Sequence, residues 1–139
     1  MMVKKIKNSK GASVVEFALV VLIFFIFIFG IIDFGWYFFC QHSIELATRE
    51  GARIGVVRGD DTSIKERIRD RASIAVDPNN LNISILASTS DPDTRHIVTQ
   101  YTHQFFSPLI GILFSDGSTI IQTEATYRIE PEPYVPPGG

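Results

Sequence analysis

Phe17-Ala18-Leu19-Val20-Val21-Leu22-Ile23-Phe24-Phe25-Ile26-Phe27-Ile28-Phe29-Gly30-Ile31-Ile32 is a run of sixteen residues without a charge. Carried back to Ala12 it becomes twenty-one residues with Glu16 as the one ionisable group. At about 1.5 Å per helical residue that stretch covers roughly 31 Å, the thickness of a bilayer's hydrocarbon. On its N-terminal side stand Lys4, Lys5, Lys7 and Lys10; on the other side comes Asp33. The positive-inside rule then predicts a basic cytoplasmic leader over 1–11 and a transmembrane helix over 12–33 with everything later outside. The expected location is the inner (cytoplasmic) membrane, crossed once, with lipid as the first partner. The run ends in Asp33-Phe34-Gly35-Trp36-Tyr37-Phe38-Phe39-Cys40, which is bulky and lacks the small residues of a secretory cleavage site, so the helix is expected to be retained. Trp36 and Tyr37 suit the outer membrane-water boundary.

Composition sets the limits around this segment. The chain has 139 residues, 45% hydrophobic and 20% charged, which suits one modest domain and argues against a two-domain enzyme. Eight of the eleven phenylalanines precede residue 40, so the mean hydropathy of +0.17 comes largely from one end. The net charge of −2 combines a basic leader with nine basic and thirteen acidic residues after Asp33, which argues against nucleic acid as a partner. A single cysteine, Cys40, cannot form an internal disulfide; it either packs or joins two subunits.

Glu16 lies inside the apolar run, where an ionisable group is costly and by default suggests function. Two readings stand: a span that really begins at Phe17, or an acid with a task. Lys10-Gly11-Ala12-Ser13-Val14-Val15-Glu16 is a basic leader, a glycine and then a glutamate as fifth residue of the helix. This resembles the class III signal of type IV pilins, and the resemblance implies that a membrane prepilin peptidase cuts between Gly11 and Ala12. It also implies that Glu16 meets the N-terminal amine of a neighbouring subunit. In low dielectric such a pair offsets the desolvation of both charges, so Glu16 would act as a register device in subunit assembly.

Three ordered blocks narrow the resemblance. Gly11-Ala12-Ser13-Val14-Val15-Glu16-Phe17-Ala18-Leu19-Val20, then Phe29-Gly30-Ile31-Ile32-Asp33-Phe34-Gly35, then Ala47-Thr48-Arg49-Glu50-Gly51-Ala52-Arg53 resemble the TadE-like family of pseudopilins of tight-adherence (Flp-type) pilus systems. Toward the C-terminus, Val98-Thr99-Gln100-Tyr101, Pro108-Leu109-Ile110-Gly111 and Ala125-Thr126-Tyr127-Arg128-Ile129-Glu130 are similar to the family's closing pattern more loosely, and Tyr127 stands where the family often has Met. The partners implied are the prepilin peptidase, other TadE/TadF-type pseudopilins and Flp pilin in a homo- or hetero-oligomer, and the inner-membrane platform proteins.

Beyond Gly35 no proline occurs until after Val57, so 34–57 is expected to prolong the helix outward, about 69 Å in all from Ala12. Glu45 with Arg49 and Glu50 with Arg53 have helical spacing for ion pairs. Ala47, Gly51 and Gly55 recur every four residues as a smooth packing stripe, and docking of the chain's own head there is favoured over an intersubunit contact. Residues 58–130 read as a small α+β head. Ser63 and Glu66 form a capping-box pattern before Ile64, Ile68, Ala72 and Ala75 on one helical face. Arg67, Arg69 and Arg71, interleaved with Glu66 and Asp70, read as a solvated face. Asp77-Pro78-Asn79-Asn80 is a turn. Leu81, Ile83, Ile85 and Ala87, then Ile97, Thr99, Tyr101, His103 and Phe105, then Ile121, Thr123, Ala125, Tyr127 and Ile129 each alternate as one face of a strand. The expected fold is therefore α+β and pilin-like: a long N-terminal transmembrane helix extending into a head with one further helix and a roughly three-stranded antiparallel sheet. Residues 131–139, PEPYVPPGG, read as a Pro/Gly-rich tail.

No catalytic motif emerges. His42, His96 and His103 lack metal-ligand spacing, no serine has a G-x-S-x-G context, and no glycine-rich phosphate loop occurs. The expectation is a non-enzyme without cofactor or metal: a minor pilin or pseudopilin acting in pilus biogenesis or initiation, and so in adhesion. The rival reading is an unprocessed single-pass membrane protein with an extracytoplasmic binding or sensing head.

Overall fold

A computed structural model describes residues 9–57, 60–107, 110 and 117–130. The leader's first eight residues, Arg58 and Gly59, most of the apolar link after Ser107 and the proline-rich tail lie outside the described residues.

One helix, α1 (Ser9–Val56), runs unbroken for 48 residues, about 72 Å at 1.5 Å per residue. Nothing in its sequence interrupts it: there is no proline, and Gly11, Gly30, Gly35, Gly51 and Gly55 are spread widely enough that each costs only local propensity. Helix α2 (Asp61–Ala72) follows, then a single 3-10 turn at Pro78–Asn80 and three strands, β1 (Leu81–Ala87), β2 (Thr94–Gln104) and β3 (Ser118–Arg128). The strands form an antiparallel meander in the order β1-β2-β3, with Ile83 opposite Thr99 and Thr99 opposite Thr123. This is the α+β arrangement read from the alternation of the sequence.

The core lies between the outer part of α1, α2 and one face of the sheet. Ile44 and Ala47 of α1, Ile64, Ile68 and Ala72 of α2 and Ile97 of β2 are each 0% exposed. Around them Leu81, Ile83, Ile121 and Tyr127 are also buried. The residues expected to share the inward strand faces do so at the centre of the sheet, while Ala87 at the end of β1 is exposed.

Two local expectations are corrected. The N-cap of α2 is Asp60, not Ser63: the helix starts at Asp61, and the Ser63 hydroxyl donates to the Asp60 carboxylate. That hydrogen bond, with others at the same helix start, holds the Asp60 carboxyl below its ordinary range. Glu50 does not pair with Arg53. It reaches across to α2, where it accepts from Arg67 and lies 3.1 Å from the Arg71 Nε, so a long-range ion pair replaces the local one. Glu45 and Arg49 do pair along α1.

Candidate functional site

The inner half of α1 is bare. From Gly11 to Phe29 every residue is exposed except Val21 and Ile28, which are half-buried. Phe17 is 69% exposed and Phe27 67%, values that only an apolar solvent or another helix would reconcile with their chemistry. The helix is long and apolar enough to cross a membrane.

Gly11 and Ala12, the expected cleavage pair, fall in the first turn of α1, and both are exposed. A peptidase that takes extended chain would have to unwind this turn, whose first N–H groups have no intrahelical acceptor to lose. Glu16 lies one turn further on, exposed and without an ion-pair partner among the described residues. Its carboxylate therefore faces the same surroundings as Phe17 and Leu19.

From Gly30 onward the helix changes character. Asp33, Cys40, Ile44, Ala47, Gly51 and Gly55 are buried and Gly30 and Tyr37 half-buried, in alternating steps of three and four residues that end with a second step of four. The packing stripe recognised as Ala47, Gly51 and Gly55 is the outer end of this longer seam. A Cβ on Gly51 would come within 2.5 Å of Ile68 Cγ1, and one on Gly55 within 2.5 Å of the Tyr127 ring. Both glycines face the chain's own head, and their lack of a side chain is what allows α2 and β3 to approach.

Polar groups at the seam are matched in pairs. Thr48 Oγ1 is 2.8 Å from the Ile44 carbonyl, 3.0 Å from Thr99 Oγ1 and 2.9 Å from Thr123 Oγ1. The single Thr48 hydroxyl proton is shared between the Ile44 carbonyl and Thr99 Oγ1, which leaves the Thr48 oxygen to accept from the Thr123 hydroxyl. Cys40 is 1% exposed, its thiol donates to the Ala75 carbonyl at 3.6 Å, and burial pushes its pKa up. Of the two roles open to Cys40, packing is what the structure displays.

The signal missed in the sequence is Asp33. Only 2% exposed, it accepts the backbone N–H of Phe106 at 3.1 Å and of Ser107 at 2.8 Å. Beside it His103 is 2% exposed, edge-on to Tyr37 and Phe105, with no hydrogen-bond partner at Nε2. Burial lowers the His103 pKa and the Asp33 carboxylate opposes that shift without reversing it. An open cleft of about 510 Å³ runs past this corner, lined by Trp36, Asn80, Tyr101, His103 and Phe106 among others. Among the described residues no group of three or more His, Cys, Asp or Glu side chains is gathered as a metal site would require. Arg67 and Arg71, read as a solvated face, are half-exposed but bound to Glu50.

Residues 11–53 match the family model described as TadE-like protein. The matched stretch takes in Gly11, Glu16, Asp33, Ala47, Thr48 and Gly51 and stops short of Gly55, and the looser C-terminal resemblance lies outside it. No curated protein and no solved structure matches the chain.

Proposed function

We propose, with residues 11–53 as a TadE-like segment, that this chain is a minor pilin or pseudopilin subunit of a tight-adherence pilus, acting in its biogenesis or initiation and so in adhesion. The observation that carries the reading is the division of α1: an inner half with nothing of its own to cover it, and an outer half with one face engaged by the head. A helix so divided can stand in lipid first and exchange lipid for sister helices later without disturbing the head. The exchange is nearly neutral in hydrophobic energy, because acyl chains and leucine side chains are about equally apolar, so packing and polar pairing supply the direction. Glu16, exposed amid apolar side chains, is the group for which a partner's ammonium would matter most.

In this reading the prepilin peptidase cuts between Gly11 and Ala12, the new amine meets Glu16 of a neighbour, and the role is mechanical, without catalysis or cofactor. The head stays outside the inner membrane, and other TadE/TadF-type pseudopilins, Flp pilin and the platform proteins are the partners. Intact-mass analysis of the membrane-bound and fibre-bound protein tests the cleavage: loss of Met1 through Gly11 is expected. Glu16→Ala is expected to insert normally and to be depleted from sheared surface fibres. Wild-type incorporation of that variant, or an uncut chain in the fibres, overturns the proposal, and an uncut chain confined to the membrane favours the single-pass binding or sensing protein.

A further inference from the structure

Asp33 is buried in a stretch of α1 whose neighbours Ile31, Ile32, Phe34 and Trp36 are all exposed. What covers it is the chain leaving β2, through the N–H groups of Phe106 and Ser107. One helical turn nearer the inner end of α1, Ile110 Cδ1 lies 3.8 Å from the position a Cβ on Gly30 would take. Gly30 belongs to the uncharged run Phe17–Ile32, which at sixteen residues and about 1.5 Å each covers roughly 24 Å, less than the roughly 30 Å of hydrocarbon. If α1 spans, Gly30 is therefore within the apolar layer, and the side chain resting on it is there too.

We propose that the chain leaving β2 makes a second membrane contact, in which Phe106 and Ile110 rest in the outer leaflet against α1 and Asp33 sets their depth. This rests on the reading of α1 as a membrane span. Three observations favour lipid as the occupant. The surface is continuous with the bare inner half of α1, and the chain carries no charge from Phe105 to Ser115. Phe106, 74% exposed, lines one cleft with Trp36, itself 42% exposed. Finally, Asp33 and the two N–H groups hide one another: a lone carboxylate and lone backbone donors are each costly next to hydrocarbon, and the pair of bonds removes both penalties. Asp33 is thus a positioning residue for the head, holding it upright on the bilayer by two elements instead of one.

The test uses the full chain in phosphatidylcholine nanodiscs whose acyl chains are brominated to quench nearby indoles. The chain's single tryptophan, Trp36, reports on the span, and a second protein, Trp36→Phe with Phe106→Trp, reports on the second contact. Position 106 is exposed enough to accept the larger ring. The expected result is loss of emission at position 106 as large as that of Trp36, and its weakening when Asp33→Ala is added while Trp36 quenching in an Asp33→Ala protein persists. Quenching of Trp36 alone overturns the second contact and leaves the span standing, including the case where position 106 is shielded by another copy of the chain. Quenching of neither removes the span and the inference with it. Unchanged quenching at position 106 in the Asp33→Ala background overturns the positioning role.

Discussion

Between Gly11 and Phe29 α1 leaves nearly every apolar side chain uncovered, whereas between Asp33 and Gly55 the same helix hides a residue every three or four positions. The backbone hydrogen bonding is the same in both halves; the difference lies in side-chain size and polarity along one seam. The outer half places Asp33, Ala47, Thr48, Gly51 and Gly55 along its seam, where the inner half beyond Glu16 is almost wholly Phe, Ile, Leu and Val. A rim of bulky apolar groups suits a fluid solvent that conforms to any shape. A seam of small and polar groups suits a fixed partner with matching shape and hydrogen bonds.

The comparison breaks most sharply at the glycines. Gly51→Leu must displace Ile68, which is fully buried, and is expected to destabilise the head by about 2–3 kcal/mol. Gly35→Leu, where an added Cβ meets nothing within 4 Å, is expected to stay within about 0.5 kcal/mol of wild type. Denaturant unfolding in detergent, followed by near-ultraviolet circular dichroism, reads both; equal effects would show that the seam and the open face of the outer half do not differ as described.

A smaller effect is expected at Thr48. Thr48→Val takes the shared partner from two buried hydroxyls and should cost about 1–2 kcal/mol, while Thr48→Val combined with Thr99→Val and Thr123→Val should recover much of it, since no polar group is then left stranded. Simple addition of three losses in the same melts would refute the shared network.

The smallest effect is a dependence on pH confined to the head that covers the outer half. Burial depresses the folded pKa of His103 below its ordinary 6.5, so the unfolded chain takes up the proton first. His103 therefore contributes full stability above about pH 6.5, and that contribution is lost as pH falls toward and through its folded pKa. Asp60 and Asp91, whose carboxyls are also held low, add their own losses only below the ordinary carboxylate value of 3.8. A shallow fall in stability beginning just below neutrality, absent in His103→Phe, is the expected result; a slope that survives the substitution assigns it to another group.

Much of this was legible in the chain. The alternation around Ile97, Thr99 and around Ile121, Thr123, Tyr127 needed only the two-residue period of a strand, and the unbroken helix needed only the absence of proline. A serine followed three residues later by a glutamate is a local pattern that does not fix the helix start, and Asp60, three residues before Ser63, is the N-cap instead. Glu50 was misassigned for a related reason: spacing identifies which partners are near along one helix, not which arrive from another. Asp33 could not be read at all, because its donors are backbone N–H groups 73 and 74 positions away and backbone groups leave no mark in a sequence. The seam through Gly30, Tyr37 and Cys40 was hidden too, since a helix apolar on every side shows no favoured face.

The sequence by itself determined the elements: an apolar run long enough to span, a helix that continues past it, and three strands with one inward face each. These are properties of neighbouring residues, set by side-chain periodicity and by backbone sterics. Only the tertiary structure decided which side of α1 the head occupies and where its polar groups meet, because those choices depend on contacts between residues far apart in the chain, whose shapes fit together in one arrangement.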